Sequence, residues 1–517
     1  MKHTLANKVL YEISIVNIFF INLQRIYIEL NNRAMKTVVY SGKEAKFSDM
    51  IANEATGFTK CNPSVLHGII KNSDSSVSVV KDPPISKELI DNASKEFQIS
   101  DISNATIREV KAIAAKVEQE SGVEFIKMEM GVPGLPPSSI GVNAEIEALN
   151  NGVASVYPNV DGYSELKLQA SNFAKAFINV DIDPKGCIPV VGSMQGTYVS
   201  FLACCQCHEK KDTILFIDPG FPVQKQQVAV MGQKYETFDV YKYRGDKLRD
   251  KLESYLQQGN ISAIIYSNPN NPSWICLKED ELKTIGELAT KYDIVILEDL
   301  AYFGMDFRKD LSIPYQAPFQ PSVAHYTKNY ILLISGSKAF SYAGQRIGVC
   351  CISDSLYHRN YSELTARYGE GTFGTIFVQR ILYALSSGAS HSAQYALAAI
   401  FKAACEGKYN FFDDVKIYGD RAKKLKEIFL RHGFHIVYDK DLDEPVADGF
   451  YFTIGYSDMP GRELVKELMC YGVSAISLDT TGSDQEGLRA CTSFIKDNQY
   501  DLLDERMKIF EMNHPIR

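Results

Sequence analysis

Short apolar runs alternate with helix-length amphipathic segments from about residue 186 onward, and this alternation constrains the fold more than any other feature of the chain. Short continuous apolar runs that are separated by helical segments are typical of parallel strands covered on both faces. The runs lie at 188–191, 214–217, 263–266, 294–297, 331–334 and 347–351. We therefore expect an α/β fold in which a large domain, residues 155–395, holds a mostly parallel sheet covered by helices.

The segments on either side of this region have a different pattern. After Gly407, charged helical stretches and β runs predict a smaller α+β domain over residues 396–517. Residues 35–154 also lie outside the large sheet, so we expect them to pack with the smaller domain. Within them, apolar residues at helical spacing predict a helix over 102–119, with Asp101 or Ser103 as its N-cap.

Residues 1–34 are interpreted as an N-terminal extension that need not belong to the fold, with Met35 as an alternative start. Their apolar run, residues 13–23, has about half of the ~20 residues that a spanning helix needs. We therefore expect no membrane partner for the folded protein. The other interpretation of this segment is an amphipathic helix that docks on a partner or on a membrane surface.

Charge and cysteine content narrow the class of protein. The 517 residues carry 55 Lys and Arg against 63 Asp and Glu, a net charge of −8, so we expect no nucleic-acid partner. The 11 cysteines are odd in number and scattered, which indicates free thiols and a cytoplasmic location. Cys204, Cys205, Cys207 and His208 match no zinc template, so we interpret them as core residues and expect no metal.

Polar residues follow the apolar runs, at the points where the predicted strands end. Ligands of open α/β sheets bind at the carboxyl ends of the strands, so these residues are expected to share one site. They lie at 192–196, 218–222, 267–272, 298–302 and 335–338, with Arg346 eight residues after Lys338.

The groups gathered there match the chemistry of one cofactor. A lysine amine forms a Schiff base with an aldehyde. A carboxylate keeps a pyridine nitrogen protonated, and a helix N-terminus with an arginine binds a phosphate. Pyridoxal 5′-phosphate has all three partner groups and a phenolic oxygen besides, so the sequence predicts a pyridoxal phosphate site.

Three motifs make the prediction specific. They are N-P-N-N-P at 268–272, E-D-L-A-Y at 298–302 and S-G-S-K-A-F-S-Y-A-G-Q-R-I-G at 335–348. Through them the chain resembles the class I and II aminotransferases of the fold-type I pyridoxal-phosphate enzymes, such as aspartate and aromatic aminotransferases, over about residues 125–500. The resemblance implies an enzyme that moves an amino group between an amino acid and a 2-oxo acid in two half-reactions.

The resemblance also assigns roles to individual residues. Lys338 would be the Schiff-base lysine and the proton shuttle, and Asp299 would pair with the pyridine nitrogen. The remaining cofactor contacts would be Tyr302 and Asn271 to the phenolic oxygen, Phe221 stacked on the ring, and Ser193, the backbone of Met194, Ser335 and Arg346 on the phosphate.

Three further residues would complete the site by the same resemblance. Arg489, within 487–494, would bind the substrate α-carboxylate, and Gly131 would belong to a turn at the substrate site. Tyr157 would reach the phosphate of the other subunit, which implies a homodimer with shared active sites. The chain departs from the family at Ser273 and Trp274, where Thr-Gly is common.

Several alternatives stay open or are disfavoured. A lyase or decarboxylase on the same scaffold would use the same Lys, Asp and Arg, so motifs alone do not separate it from an aminotransferase. A transcription regulator with this fold would need a basic segment before it, and residues 36–100 are close to neutral. The G-x-G-x-x-G at 369–374 lacks a preceding apolar run and therefore does not predict NAD binding. Arg367 is interpreted as an exposed helix-end arginine rather than a substrate ligand.

Overall fold

The six apolar runs of the sequence fold into strands of one seven-stranded sheet in the computed structural model, which describes residues 81–99, 101–102 and 105–516. The predictions about residues 1–34 and Met35 lie outside these residues. The strands, in chain order, are β1 (Ile126–Lys127), β2 (Cys187–Val190), β3 (Thr213–Asp218), β4 (Lys234–Asp239), β5 (Ile261–Ser267), β6 (Val295–Asp299), β7 (Tyr330–Ser335), β8 (Gly348–Ile352), β9 (Phe434–Ile436), β10 (Lys440–Asp441), β11 (Glu444–Pro445), β12 (Tyr451–Tyr456), β13 (Val473–Ser474), β14 (Ile476–Ser477) and β15 (Leu488–Cys491).

Helices cover the sheets and connect their strands. In chain order they are α1 (Lys87–Glu96), α2 (Ile107–Ser121), α3 (Ser139–Asn150), α4 (Ser164–Ile178), α5 (Gly192–Cys204), α6 (Pro222–Val230), α7 (Lys247–Leu256), α8 (Glu279–Lys291), α9 (Asp354–Tyr357), α10 (Ser362–Tyr368), α11 (Phe373–Ile376), α12 (Tyr383–Ser386), α13 (His391–Cys405), α14 (Phe411–Arg431), α15 (Gly461–Cys470) and α16 (Gln499–Asn513).

The large sheet has the strand order β2-β8-β7-β6-β5-β3-β4. All pairs are parallel except those of β8, which runs antiparallel to both β2 and β7. The prediction of an α/β fold with a mostly parallel sheet is therefore confirmed. Because β8 is reversed, its first residues lie at the edge where the parallel strands end.

Both faces of this sheet are buried. Leu215 and Ile217 of β3 belong to one apolar cluster, and Ile214 and Phe216 of the same strand belong to the cluster on the other side. Successive residues of a strand point to opposite faces, so a strand covered on both sides must be apolar throughout. This is the reason why the runs in the sequence show no polar alternation.

Strand β4 was not predicted. It lies at the end of the sheet beside β3, and its sequence K-Y-E-T-F-D has four exposed residues followed by two buried ones. An edge strand with a solvent-facing side tolerates charged residues that a central strand excludes. Because β4 is polar, it does not form an apolar run in the sequence, and apolar runs do not predict it.

A smaller antiparallel sheet, in the order β14-β15-β12-β9, follows α13 in the chain. Helix α2 and strand β1 belong to its surroundings, since β1 pairs with β13 and the buried face of α2 lies in the apolar cluster of the small sheet. The smaller α+β part of the predicted fold is present. The boundaries proposed for the domains remain predictions.

The helix expected over 102–119 begins later, at Ile107, and its N-cap is Thr106 rather than Asp101 or Ser103. The Thr106 hydroxyl accepts from the Glu109 backbone, and the Glu109 carboxylate accepts from the Thr106 backbone at 2.7 Å. This reciprocal capping box satisfies two backbone donors at once, which a single cap does not. Asp101 instead forms an ion pair with Lys466 at 2.8 Å.

Helix α3 differs from the expectation that residues 35–154 pack with the smaller domain. It packs against α13, and its Glu145 accepts a hydrogen bond at 2.6 Å from Tyr342, which follows β7. A second bond at 2.9 Å comes from Ser392 of α13. The buried Glu145 carboxylate, satisfied by these two hydroxyls, ties α3 to the side of the large sheet.

The remaining sequence-level expectations concern cysteines, membranes and the glycine motif. The ten cysteines of the described residues are buried free thiols. Among the helices that the structure describes, none combines the length and apolar character needed to cross a bilayer. The motif at 369–374 follows helix α10 rather than a strand, so the context of a dinucleotide fingerprint is missing.

Candidate active site

A cavity of about 1020 Å³ opens at the edge of the large sheet where the parallel strands end. The predicted site residues come together in its lining, with the exception of Tyr157. Those that line it are Gly131, Ser193, Met194, Phe221, Asn271, Asp299, Tyr302, Ser335, Lys338, Arg346 and Arg489. The strand-end argument therefore places these side chains in one site, as expected.

Lys338 lies three residues beyond the end of β7, half-buried in the cavity wall. Its ammonium donates to the carbonyl oxygen of Gly131 and lies 5.3 Å from the centre of the Phe450 ring. Burial, helped by the positive charges of Arg489 and Arg346, lowers the pKa of Lys338 to about 8. In the described residues no carboxylate pairs with it. The amine is therefore prepared to react as a neutral nucleophile.

Asp299 is the last residue of β6 and is almost completely buried. Its carboxylate accepts a hydrogen bond at 2.9 Å from the side-chain amide of Gln224 and one at 3.2 Å from the backbone of Ala301. Burial raises the pKa of Asp299 to about 6, although the two hydrogen bonds act to lower it. Among the residues that the structure describes, no cation pairs with it, so a positively charged ligand atom would be stabilised here.

A cradle for an anion lies at the N-terminus of α5. The helix has no side-chain cap, and the Ser193 hydroxyl is buried without a hydrogen-bond partner in the described part of the chain. A Cβ atom at Gly192, where φ is +67°, would lie 2.7 Å from Nη2 of Arg346. Only glycine lets the guanidinium approach the helix end this closely. Together with buried Ser335 beside them, these groups can bind a phosphate.

Three further residues, Asn271, Tyr302 and Phe221, line the same cavity. The carbonyl oxygen of the Asn271 side chain is buried without a partner in the described residues. Tyr302 is buried, and its hydroxyl donates to that of Tyr451 at 3.2 Å. Phe221, just before α6, lines the cavity, and no other aromatic ring of the described chain stacks on it. A planar heteroaromatic ligand with polar substituents fits this arrangement.

Arg489 of β15 is a further cation of the cavity lining and is only 1% exposed. It donates to the backbone oxygen of Glu129 at 2.6 Å and stacks on the ring of Tyr451 at 4.7 Å. Its Nε is buried without a partner, and in the described residues no carboxylate pairs with it. A buried guanidinium without a counter-ion is costly, so this group is suited to bind a ligand carboxylate.

Gly131 has a steric role as well as a polar one. A Cβ atom at this position would lie 1.6 Å from the hydroxyl oxygen of Tyr451. The residue must therefore be glycine if Tyr451 keeps its place, while its carbonyl oxygen accepts from Lys338.

Tyr157 is the predicted residue that the cavity does not include. It is 89% exposed and lies in the segment after α3. Arg367, in the last turn of α10, is exposed and also lies outside the cavity lining. Its interpretation as a helix-end arginine agrees with this position.

Several residues of the site were missed from the sequence. Tyr451 on β12, Gln224 on α6 and Arg108 in the first turn of α2 all line the cavity. Trp274, where the sequence departs from the family, is not among the lining residues; it is fully buried, and its ring centre lies 5.3 Å from that of Tyr302. Its indole occupies the space where a Cβ of Gly449 would lie. Tyr451, Gln224 and Arg108 belong to none of the motifs that follow a predicted strand.

A family model matches more than half of the chain. The family model described as "Aminotransferase class I and II" matches residues 124–440. The matched region includes strands β1 to β8 and stops before Arg489.

Among curated proteins, an aspartate aminotransferase of Pyrococcus horikoshii is 27% identical over 252 residues, which cover 48% of this chain and 59% of that protein. An LL-diaminopimelate aminotransferase of Halothermothrix orenii is 28% identical over 245 residues, 46% of this chain and 60% of that protein. The chain therefore spans about three fifths of the length of these two relatives.

Solved structures share the fold. An aspartate aminotransferase double mutant of Thermus thermophilus superposes with a TM-score of 0.63 at 16% identity, over 79% of this chain and 96% of that one. An alanine aminotransferase of Pyrococcus furiosus gives a TM-score of 0.63 at 18% identity, over 79% and 97%. At these identities the likeness concerns the fold alone.

Proposed function

Since the chain belongs to the class I and II aminotransferases, we propose that it moves an amino group between an L-amino acid and a 2-oxo acid with the help of pyridoxal 5′-phosphate. One observation carries the proposal. A single cavity holds an amine whose pKa is lowered to about 8, together with a buried carboxylate and a buried guanidinium that form no ion pair with any described residue. Each of these groups lacks the partner that an amino acid or the cofactor would supply.

The residues of the cavity fit this cofactor by their unpaired polar atoms. Ser193, Ser335 and Arg346 would hold its phosphate at the N-terminus of α5, and Phe221 would lie against its ring. Asn271 and Tyr302 would bind its phenolic oxygen, and Asp299 its ring nitrogen. When bound, the cofactor supplies a conjugated ring that accepts the electrons released at the substrate α-carbon.

Lys338 supplies the proton transfers. With a pKa near 8 its amine exists in both protonation states near neutral pH, so it can take a proton from the substrate α-carbon and return it elsewhere. The Gly131 carbonyl oxygen gives the ammonium a fixed acceptor, which orients it while it carries the proton. Asp299, once ionised beside a positive ring nitrogen, would stabilise that charge through the cycle.

A panel of amino-acid donors with 2-oxoglutarate as acceptor tests the function. We expect each accepted donor to yield its 2-oxo acid together with glutamate, in equal amounts. A lyase or decarboxylase on this scaffold would release ammonia or carbon dioxide instead, and 2-oxoglutarate would not be consumed. Either of those products without glutamate would overturn the proposed transamination.

The substrate class is inferred from a second cation at the cavity. Arg108 is exposed in the first turn of α2, lines the cavity, and forms no ion pair within the described residues. Arg489 is suited to the α-carboxylate, so Arg108 is available for a second acidic group. We infer that donors with an acidic side chain are preferred, in keeping with relatives named as aminotransferases of aspartate and LL-diaminopimelate.

Arg489→Lys should weaken all amino-acid donors, because lysine keeps the charge but loses the planar two-point contact with a carboxylate. We expect the apparent dissociation constant in half-reaction titrations to rise about 10–100-fold, the usual effect of one charge-assisted hydrogen bond. The cofactor spectrum should stay unchanged.

Arg108→Gln serves as the matched variant, since it removes the other cation of the cavity. Acidic donors should lose affinity while alanine binds as in the wild type. Unchanged affinity for every donor in Arg489→Lys would show that the carboxylate binds elsewhere. Equal loss for acidic and apolar donors in Arg108→Gln would remove the proposed substrate preference.

We propose a homodimer in which Tyr157 reaches the partner's phosphate site. Four large apolar side chains are exposed in the last part of α3 and the segment after it, namely Ile146, Leu149, Val156 and Tyr157. Light scattering should give about twice the chain mass of 57.9 kDa. Tyr157→Phe should bind pyridoxal phosphate about tenfold more weakly, as expected for one hydrogen bond to a charged group. Tyr235→Phe, on the edge strand β4, should not. A fully active monomer would contradict the proposal.

A cytoplasmic location is proposed on the chemistry of the cysteines. Those that the structure describes are buried as free thiols, without disulfides between them. Such a set is typical of proteins in a reducing compartment.

A further inference from the structure

Tyr451 contacts both Tyr302 and Arg489 in the candidate site, and the proposed function gives it no role. It is the first residue of β12, is 2% exposed, and lines the cavity. Its hydroxyl lies 3.2 Å from that of Tyr302, and its ring lies under the guanidinium of Arg489 at 4.7 Å. One side chain therefore contacts the residue expected at the cofactor's phenolic oxygen and the residue expected at the substrate carboxylate.

The hydrogen bond to Tyr451 is the only one that the Tyr302 hydroxyl makes in the described part of the chain. The other neighbours of the Tyr302 ring are aromatic, Trp274 at 5.3 Å and Phe450 at 5.5 Å. Neither ring forms a hydrogen bond with the Tyr302 oxygen. Among the described residues, the Tyr451 hydroxyl is the group bonded to the Tyr302 hydroxyl, so it can donate to Tyr302 when the Tyr302 proton is used elsewhere.

A phenol has one proton to donate and lone pairs to accept with. In the structure, Tyr302 donates to Tyr451, and the proton of Tyr451 has no acceptor among the described residues. If Tyr302 turned its proton toward another oxygen in the cavity, Tyr451 could donate to Tyr302 instead. A hydroxyl that accepts one hydrogen bond becomes a better donor for the next, because the two bonds polarise each other.

The position of Tyr451 is tightly determined. A Cβ atom on Gly131 would lie 1.6 Å from its hydroxyl oxygen, so the side chain is held against the backbone of that residue. Burial raises the pKa of Tyr451 to about 12, although Arg489 acts in the opposite direction. The hydroxyl therefore keeps its proton at neutral pH and remains a donor.

We propose that Tyr451 is a positioning residue, whose hydroxyl supports Tyr302 as a donor to the phenolic oxygen of the cofactor and whose ring supports Arg489 at the substrate carboxylate. The inference rests on the proposed function. The inference adds to the proposed function that one side chain, Tyr451, supports Tyr302 through its hydroxyl and Arg489 through its ring.

The hydroxyl is tested by the pH titration of the visible absorption of the cofactor-loaded protein. Donation to the phenolic oxygen lowers the pKa of this chromophore. Tyr451→Phe should therefore raise it by about 0.5–1 pH unit, the size of one hydrogen bond on this scale. Tyr302→Phe should raise it at least as much, and the double variant should match Tyr302→Phe, because Tyr451 acts through Tyr302.

The ring is tested by the affinity of the loaded protein for succinate, a dicarboxylate without an amino group. Tyr451→Phe keeps the ring and should bind succinate as the wild type does. Tyr451→Leu removes the ring and should bind it about fivefold more weakly, the effect of losing one cation–π contact. Tyr456→Phe is the control, since it removes a buried hydroxyl from the same strand, one that donates to the backbone of His514. It should leave both measurements unchanged.

The possible outcomes separate this inference from the proposed function. If the wild type takes up no pyridoxal phosphate, the proposed function falls and this inference falls with it. If the wild type titrates and Tyr451→Phe has the same chromophore pKa, the inference alone is overturned. Additive shifts in the double variant would also overturn it, because they would mean that Tyr451 acts independently of Tyr302.

Discussion

Lys338→Ala is expected to abolish amino-group transfer, with turnover reduced about 10⁴-fold or more, because both the amine nucleophile and the proton carrier are removed. The variant should still bind pyridoxal phosphate, since the phosphate cradle of Ser193, Ser335 and Arg346 is untouched. Its absorption should resemble that of the free aldehyde, because no lysine amine is left to react with it. Steady-state rates and the spectrum of the loaded variant check both statements.

The pH dependence of the wild type provides a second measurement on the same residue. Because the pKa of Lys338 is lowered to about 8, the neutral amine becomes abundant as the pH rises through 8 rather than through 10.5. The rate of covalent uptake of pyridoxal phosphate should rise with that midpoint.

Lys423→Ala, on the exposed face of α14, is the control and should behave as the wild type. Borohydride reduction followed by peptide mapping identifies the reactive lysine directly. A pyridoxyl label on another lysine, or a midpoint above pH 10, would show that Lys338 does not have the proposed role.

Asp299→Asn is expected to lower turnover about 10²–10³-fold, the effect of removing one preorganised group that stabilises developing charge. The amide has the shape of the carboxylate and can still bond to Gln224, but it carries no negative charge to hold a protonated ring nitrogen. Cofactor affinity should fall as well. Turnover and equilibrium binding of pyridoxal phosphate measure the two effects.

The raised pKa of Asp299 determines how these effects depend on pH. Its folded-state pKa of about 6 lies above its ordinary value of 3.8, so the buried carboxylate ionises only as the pH rises through 6. The free energy of unfolding of the cofactor-free protein should therefore decrease as the pH rises from about 4 to about 6, because in this range the Asp299 carboxyl is ionised only in the unfolded chain. Cofactor affinity should rise through pH 6 in the wild type and lose this dependence in Asp299→Asn.

Asp239→Asn is the matched control. Asp239 is likewise a buried aspartate at the end of a parallel strand, but it lies outside the cavity lining and bonds to Tyr438. We expect its substitution to leave turnover and cofactor affinity close to the wild type. If Asp299→Asn kept full turnover, the pairing of Asp299 with the ring nitrogen would be wrong.

The sequence alone predicted much of the large sheet and most of the residues that line the cavity at the strand ends. Asp299 is the last residue of a buried strand, Lys338 and Asn271 lie a few residues after such strands, and parallel strands end at one edge of the sheet. For these residues, closeness to the end of a strand in the sequence therefore predicts a position at the edge of the sheet. Strand β4 was not predicted because edge strands carry polar residues. The N-cap at Thr106 was not predicted because it depends on a reciprocal hydrogen bond with Glu109.

The part of the cavity lining that comes from outside the large sheet could be predicted only in part. Arg489 was found through its resemblance to a family motif, whereas Tyr451 and Arg108 have no local signal that separates them from an ordinary tyrosine and an ordinary surface arginine. The strand β12 and the helix α2 bring them to the cavity from segments far from the large sheet in sequence.

What the sequence determined by itself is local: the periods of strands and helices, and the kinds of group that follow each strand. Only the tertiary structure decided which of these groups meet. Tyr302 and Tyr451 are 149 residues apart and share a hydrogen bond, and Gln224 reaches Asp299 across 75 residues. Hydrophobic periodicity is a property of a few consecutive residues, whereas such contacts arise from the packing of whole elements, which no single segment of the chain encodes.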